Sequence, residues 1–162
     1  MTSSDSPEAG IGWHDNIIYS IHFVVGDAAS GEWWSNLVLD IDHITEWVCG
    51  TEGKALFRVA PATLTFRDVA DLRLSLDFAG GAHPRTLNEL SIDGITSEPL
   101  PPDKAPGRMP YRRWRIGLNL PQGGEIAFGS SGYGQMLRSE PVLRSEQRLP
   151  ARERPPLMVD GK

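Results

Sequence analysis

Residues 37–50 read LVLDIDHITEWVCG, and this segment combines an alternating apolar pattern with the densest group of ionisable side chains in the chain. Leu37, Leu39 and Ile41 occupy every second position, and Asp40 and Asp42 lie between and beyond them. Successive side chains of a β-strand point to opposite faces of its sheet. The pattern therefore predicts a strand that buries its three aliphatic side chains and carries both aspartates on the other face.

The end of this segment is open to a second interpretation. Ile44, Trp47 and Val48 follow the i, i+3, i+4 spacing of one helical face. Asp42 would then cap a short helical turn, a role in which an aspartate commonly contributes about 1 kcal/mol. In this second interpretation Asp42 has a structural role.

The same segment is a poor metal site. On a regular strand the two aspartates diverge from His43, which leaves two carboxylates and no nitrogen ligand on one face, whereas Mg²⁺ and Ca²⁺ prefer about six oxygens or more. No metal and no cofactor are predicted. Cys49, the only cysteine, follows Trp47 and Val48 and is expected to be a buried, small apolar side chain.

Alternation of the same kind recurs on both sides of this segment, and turn-forming clusters separate the repeats. The side chains predicted to face inward are Ile17, Tyr19, Ile21, Phe23, Val25, Leu64, Phe66, Leu72, Leu74, Leu76, Phe78, Leu90, Ile92, Trp114, Ile116, Leu118, Leu120, Ile126 and Phe128. About seven to eight short strands joined by such turns predict an all-β fold with minor helical turns, either an antiparallel β-sandwich or an open barrel.

The 162 residues fit a single domain. We expect residues 11–150 to form it, with disordered ends at 1–10 and 151–162 because both are rich in turn formers or charge. Residues 97–110 read SEPLPPDKAPGRMP and are predicted to form a long proline-rich loop within the domain.

Charge and composition narrow the classes of partner. Residues 1–103 hold 5 basic and 16 acidic side chains, whereas residues 104–162 hold 11 and 5, and the net charge is −5. PYRRWR at 110–115 interleaves arginines with aromatics, but the alternation turns Trp114 inward, so nucleic acid is not expected as a partner. No apolar run approaches the roughly 20 residues of a membrane helix. With one cysteine and no signal-peptide pattern, a cytoplasmic protein is expected.

The glycine-rich segment FGSSGYGQMLR at 128–138 is the best candidate for an interaction loop. It lacks the Gly-Lys-Ser/Thr ending of a phosphate-binding loop, so its glycines are expected to form a bulge or a positive-φ turn. The candidate binding residues are Ser130, Ser131, Tyr133 and Gln135, together with Asp40 and Glu46 on the acidic side. They predict contact with another protein, and the acidic early half of the chain indicates a basic or partly basic one, because opposite charges steer association. No residue is predicted to be catalytic.

A second class of function, a small-ligand barrel or a metal-dependent enzyme, would use His14 and Asp15 together with Asp40 and Asp42. His14 and Asp15 belong to WHDN at 13–16, immediately before the first strand. A ligand or metal site requires all four to converge in one pocket. The structural alternative is that Trp13 packs over the end of the sheet while Asp15 or Asn16 makes a local turn bond.

The string of WHD, LDIDHITEW and APATLTFRDVADLRLSLDF resembles small bacterial proteins of unknown function over residues 13–150. The part TLTFRDVADLRLSLDF is also similar to the central hairpin of β-rich immunity proteins of polymorphic toxin systems, over about residues 62–95. The second resemblance implies toxin binding in the cytoplasm. Neither resemblance rests on catalytic residues. We therefore expect a nonenzymatic protein-binding module, with its oligomeric state open.

Overall fold

A computed structural model describes residues 12–79, 89–107 and 109–159. Its strands are β1 Ile17–Val25, β2 Ser35–Cys49, β3 Ala55–Arg67, β4 Ala70–Ser75, β5 Leu90–Pro99, β6 Arg112–Leu120, β7 Glu125–Ser130, β8 Gly132–Leu137 and β9 Val142–Arg144. Three single 3₁₀ turns accompany them, at Ala28–Ser30, Thr51–Gly53 and Ala151–Glu153. The predicted all-β fold is confirmed. Among the described residues, no helix has the length and apolarity needed to cross a bilayer.

All the strands belong to one antiparallel sheet. Its strand order is β4-β7-β6-β5-β1-β2-β3-β8, and β9 pairs with β3 beside this path. The order makes β4 and β8 the end strands. Since β1 lies between β2 and β5, the early strands form the centre of the sheet.

A corner in the sheet lets it pack against itself. The β3–β4 and β7–β8 segments run side by side through this corner, with Arg67 opposite Gly132 and Ala70 opposite Gly129. The ring centroid of Phe66 on β3 consequently lies 4.7 Å from the ring centroid of Phe128 on β7. The core is therefore the space that one bent sheet encloses, and edge-to-face aromatic contacts fill its centre.

The core confirms the face assignment of the opening segment. Leu37, Leu39 and Ile41 are fully buried in it, and Trp114, Ile116, Ile126 and Phe128 contribute from the other half of the sheet. Burying a large aliphatic side chain contributes about 1.5–3 kcal/mol. The apolar side chains that the alternation predicts to face inward thus form the central cluster, and their burial stabilises the fold.

The inward assignment of β1 is partly wrong. Ile21 packs against the core, but Tyr19, Phe23 and Val25 are exposed. The register with β2 shifts between Ile18 and Ser20, and this bulge reverses the alternation at Tyr19. Phe23 and Val25 lie at the strand end, beyond the part of the sheet that the core covers.

Two other predicted core residues are also exposed. Leu74 is 41% exposed because β4 is an end strand of the sheet, although Leu72, Leu76 and Phe78 still pack against the core. Leu120 is exposed at the last position of β6. Alternation identified the correct face along most strands. It did not show at which residue of a strand the core stops covering that face.

The helical interpretation of residues 42–50 is wrong, because β2 continues to Cys49. The pairing with β3 shifts between Ile44 and Glu46 and then resumes, so a bulge replaces the helical turn. Cys49 is exposed rather than buried, since this end of the β2–β3 hairpin extends past the core.

The boundaries of the domain also need revision. Residues 151–159 were predicted to be a disordered tail, but they contain a 3₁₀ turn and Arg154, whose side chain is buried. The predicted disordered residues 1–10 and 160–162 lie outside the described residues, as does most of the turn predicted at 79–85. The long loop is shorter than 97–110, because β5 continues to Pro99 and Leu100 N donates to Tyr111 O at 2.8 Å.

Candidate functional site

Asp40 and Asp42 lie under the C-terminal segment of the chain rather than at the surface. Both are on the face of β2 opposite the aliphatic core side chains, and they are 5% and 1% exposed. Asp40 is ion-paired with Arg138 and Arg154, and Asp42 with Arg154. Leu149 N donates to Asp42 Oδ2 at 3.0 Å. The prediction that Asp40 is part of a contact surface is therefore wrong.

The arginines of this network are held on their other sides as well. The guanidinium carbon of Arg154 lies 4.0 Å from the ring centroid of Tyr19, in a cation–π contact. Arg138 Nη1 donates to Pro155 O at 2.8 Å. Because two carboxylates face two guanidinium groups, their charges are neutralised within the protein. We call residues 145–159, which follow β9 and cross this face of the sheet, the C-terminal strap.

An apolar contact holds the strap in place next to the ion pairs. Leu149 is buried in a second small cluster with Ile44, Phe57 and Val59 of the β2–β3 hairpin. Val59 is fully buried. The strap thus covers the outer face of the central strands through both charge and apolar burial.

Glu46, the other predicted acidic contact residue, is exposed beside Arg58 on β3. Arg58 Nε donates to Glu46 Oε2 at 2.9 Å, across the hairpin. Exposed pairs of this kind contribute about 0–1 kcal/mol. Glu46 remains accessible, but a neighbouring cation offsets its charge.

His14 and Asp15 form a separate group at the start of β1. His14 Nδ1 lies 2.7 Å from Asp93 O, and Asn119 Nδ2 donates to Asp15 Oδ1 at 2.8 Å. The hydrogen-bond partners of His14 and Asp15 differ from the arginines that pair with Asp40 and Asp42. The contacts therefore do not join the four residues into one site. Within residues 12–79, 89–107 and 109–159, no group of three or more His, Cys, Asp or Glu side chains is arranged to hold a metal ion.

Asn16 and His43 form a buried polar contact that the sequence did not reveal. Asn16 is fully buried, and its Oδ1 accepts from Ile44 N at 3.0 Å while its Nδ2 lies 2.8 Å from His43 Nδ1. An amide nitrogen only donates, so His43 Nδ1 accepts and the imidazole is neutral. Burial lowers the pKa of His43, since desolvation disfavours the charged form.

The glycine-rich segment forms strands rather than a loop. Ser130 ends β7 and is fully buried, and Ser131 Oγ donates to Asp68 Oδ2 at 2.5 Å in the corner. Tyr133 packs with its ring centroid 5.2 Å from that of Trp114. Gln135 Oε1 accepts from Trp13 Nε1 at 2.6 Å. All four predicted binding residues are thus engaged in contacts within the protein.

The glycines of this segment provide space for side chains. A Cβ at Gly129 would lie 2.5 Å from Cε1 of Tyr111, and one at Gly134 would lie 3.2 Å from Nη2 of Arg67. Neither glycine has a positive φ. Close packing of the Tyr111 ring leaves no room for a side chain at Gly129, whereas the flexible Arg67 side chain beside Gly134 can shift.

A different surface exposes apolar side chains at the end of the β1–β2 hairpin. Trp33 is 84% exposed, Val25 72% and Phe23 58%. The carboxylates of Asp27 and Glu32 lie in the same connection. The Ser30 hydroxyl and, to a smaller extent, the Ala29 amide donate hydrogen bonds to the Asp27 carboxylate. These bonds lower the pKa of Asp27 and keep its carboxylate ionised. We call these five residues the hairpin surface: Phe23, Val25, Asp27, Glu32 and Trp33.

Sequence reasoning missed the hairpin surface because it assigned Phe23 and Val25 to the core. The usable signal was the turn cluster GDAASGE directly before two tryptophans, since a turn end leaves little room to bury both. Trp34 takes the available space, as its Cε2 would lie 2.9 Å from a Cβ placed at Gly26. Trp33 is left in solvent.

No family model matches the chain. Comparison with curated proteins and with solved structures found no match either.

Proposed function

We propose that this protein is a nonenzymatic protein-binding module that docks its partner through the hairpin surface. The observation that carries the proposal is the exposure of Phe23, Val25 and Trp33 together at one end of the sheet. Single exposed apolar residues are ordinary, but contiguous large ones rimmed by polar groups mark interaction sites. Tryptophan is also among the residues most enriched at the energetic centres of interfaces.

Charge indicates the class of partner. Asp27 and Glu32 add two carboxylates beside the apolar side chains, and neither has an ion pair within 4.0 Å in the described part of the chain. A partner surface with an apolar pocket and a basic rim complements this arrangement. The partner class therefore remains a basic protein, but the contact surface is the hairpin surface instead of Asp40. The resemblance to immunity proteins implies a cytoplasmic toxin domain as the partner, and a toxin domain with a basic surface belongs to this class.

The experiment is affinity capture from the source cells with tagged wild-type protein and Trp33→Ser, followed by titration of the captured protein against both. Because hot-spot residues contribute about 2 kcal/mol or more, the substitution should weaken binding about thirtyfold or more. Trp47→Ser is the matched control, since Trp47 is an exposed tryptophan near the opposite end of β2.

A second pair of variants tests the rim. Glu32→Lys should slow association and make binding less sensitive to salt, whereas Glu52→Lys, an exposed glutamate at the other hairpin, should change neither. Equal capture by wild type, Trp33→Ser and Glu32→Lys would overturn the proposed surface. Loss of capture with Trp47→Ser instead would place the interface at the other end of the hairpin.

A further inference from the structure

A groove of about 670 Å³ crosses the outer face of β4, β7 and β6, remote in sequence from the hairpin surface. Ala127 of β7 forms its floor, and the ring of Tyr111, which covers Gly129 and hydrogen-bonds to Asp68 O, bounds the groove towards the corner. In the register of the sheet, Ala127 lies between Arg73 of β4 and Arg115 of β6. Residues in register share a face of the sheet. Small side chains in the middle strand and arginines on both flanks therefore create the groove.

The arginines of the groove differ in how they are neutralised. Arg115 Nε lies 3.1 Å from Glu125 Oε2 and forms an ion pair. Arg113, one register step further along β6, and Arg73 form no ion pair within 4.0 Å in the described part of the chain, and neither does Lys104 of the loop that lines the groove. Asp71 and Asp103 also line it. The cations without carboxylate partners are thus spread along both walls.

The spacing of these cations selects an extended ligand. Arg113 and Arg115 are two residues apart on one strand, or about 6.6–6.8 Å. Arg73 and Arg115 are separated by two strand spacings, about 9.5 Å. A compact anion fits one guanidinium fork, whereas an extended peptide places every second side chain about 6.6–6.8 Å apart on one face. We propose that this groove binds an extended acidic segment of a partner protein, with carboxylates at alternate positions.

The position of the groove allows such a segment to enter. The groove includes β4, which is an end strand and has no strand partner on its other side among the described residues. A peptide that runs parallel to β6 over Ala127 therefore meets no further strand on its β4 side. The role is independent of the hairpin surface, which favours a basic partner.

The test uses a fluorescein-labelled peptide of about eight residues that alternates Glu with Thr, and fluorescence anisotropy with the full-length protein. Arg113→Gln and Arg73→Gln should each weaken binding about fivefold or more, in line with about 1 kcal/mol or more for a lost charge-assisted bond. Glu125→Gln should strengthen binding, because it frees Arg115. Arg152→Gln, which removes an exposed arginine outside the groove, is the control and should have no effect.

Several outcomes would overturn the proposal. Equal weakening by Arg152→Gln and Arg113→Gln would show nonspecific attraction to the basic half of the chain. Equal binding of the matching Gln-Thr peptide would exclude carboxylate recognition. Full competition by pyrophosphate at the concentration of the Glu-Thr peptide would assign the site to a compact anion. Trp33→Ser should leave this titration unchanged, so failure here and failure of the hairpin surface are distinguishable.

Discussion

Arg154 is ion-paired with Asp42, a residue 112 positions earlier in the chain, and both side chains are at least 96% buried. The pair connects the end of the C-terminal strap to the centre of the sheet. A buried ion pair is costly to form because both charges lose their hydration. It is far more costly to break by removing one partner, since the other charge is then buried alone.

Arg154→Met should consequently destabilise the protein by about 3–5 kcal/mol, because it leaves Asp42 and Asp40 with one guanidinium between them. Denaturant midpoints and slopes provide the measurement. Arg152→Met is the matched control and should stay within about 0.5 kcal/mol of wild type, since that side chain is exposed. Similar midpoints for the two variants would show that the strap does not contribute to the folded state.

The central alternation makes a second prediction about stability. Leu39→Ala should cost about 2–5 kcal/mol, because it opens a cavity among fully buried neighbours. Leu74→Ala should cost clearly less, since that side chain is 41% exposed on an end strand. Thermal or urea unfolding of both variants checks the difference. A larger loss for Leu74→Ala would contradict the end-strand position of β4.

Much of the fold was predictable because core burial depends on local alternation, which the sequence displays directly. Leu37, Leu39, Ile41 and Trp114 all follow it. The exposed positions were not predictable, because a bulge at Tyr19 changes the phase without any marker in composition. The position along each strand at which the core ends likewise depends on how the whole sheet assembles.

The candidate site was less predictable than the fold. Asp40 was correctly placed on the face opposite the core. Its partners, however, are Arg138 at the end of the glycine-rich segment and Arg154 in the charged C-terminal residues, where no periodicity indicates a structure. Charge alone makes such a segment resemble a solvated tail. Long-range pairing of this kind depends on where the chain returns in space, which single-residue patterns do not encode.

The packing of Tyr111 on Gly129 predicts a strong dependence on side-chain size. Gly129→Ala should destabilise the protein by about 1–3 kcal/mol, because the added methyl group overlaps the aromatic ring. Gly94→Ala is the matched control, since a Cβ there meets no atom within 4 Å. In a Tyr111→Ala background the cost of Gly129→Ala should shrink, and additive free energies of unfolding in that double-mutant cycle would argue against the contact.

The contact between Asn16 and His43 predicts a pH dependence of stability. Burial lowers the pKa of His43 in the folded state, whereas the unfolded chain has the ordinary value near 6.5. The unfolded state therefore binds the proton more readily below that pH. The stabilising contribution of the neutral imidazole is complete above about pH 6.5 and is lost as the pH falls below it towards the folded-state pKa.

Urea unfolding at pH 7.5 and 5.5 measures this contribution, with His43→Leu as the variant that removes the titrating group. Wild type should lose more stability between the two pH values than His43→Leu does, although the variant is less stable at pH 7.5 because Asn16 Nδ2 loses its acceptor. If His43→Leu and wild type lose equal stability on acidification, His43 does not sense pH, and other groups account for the acid sensitivity.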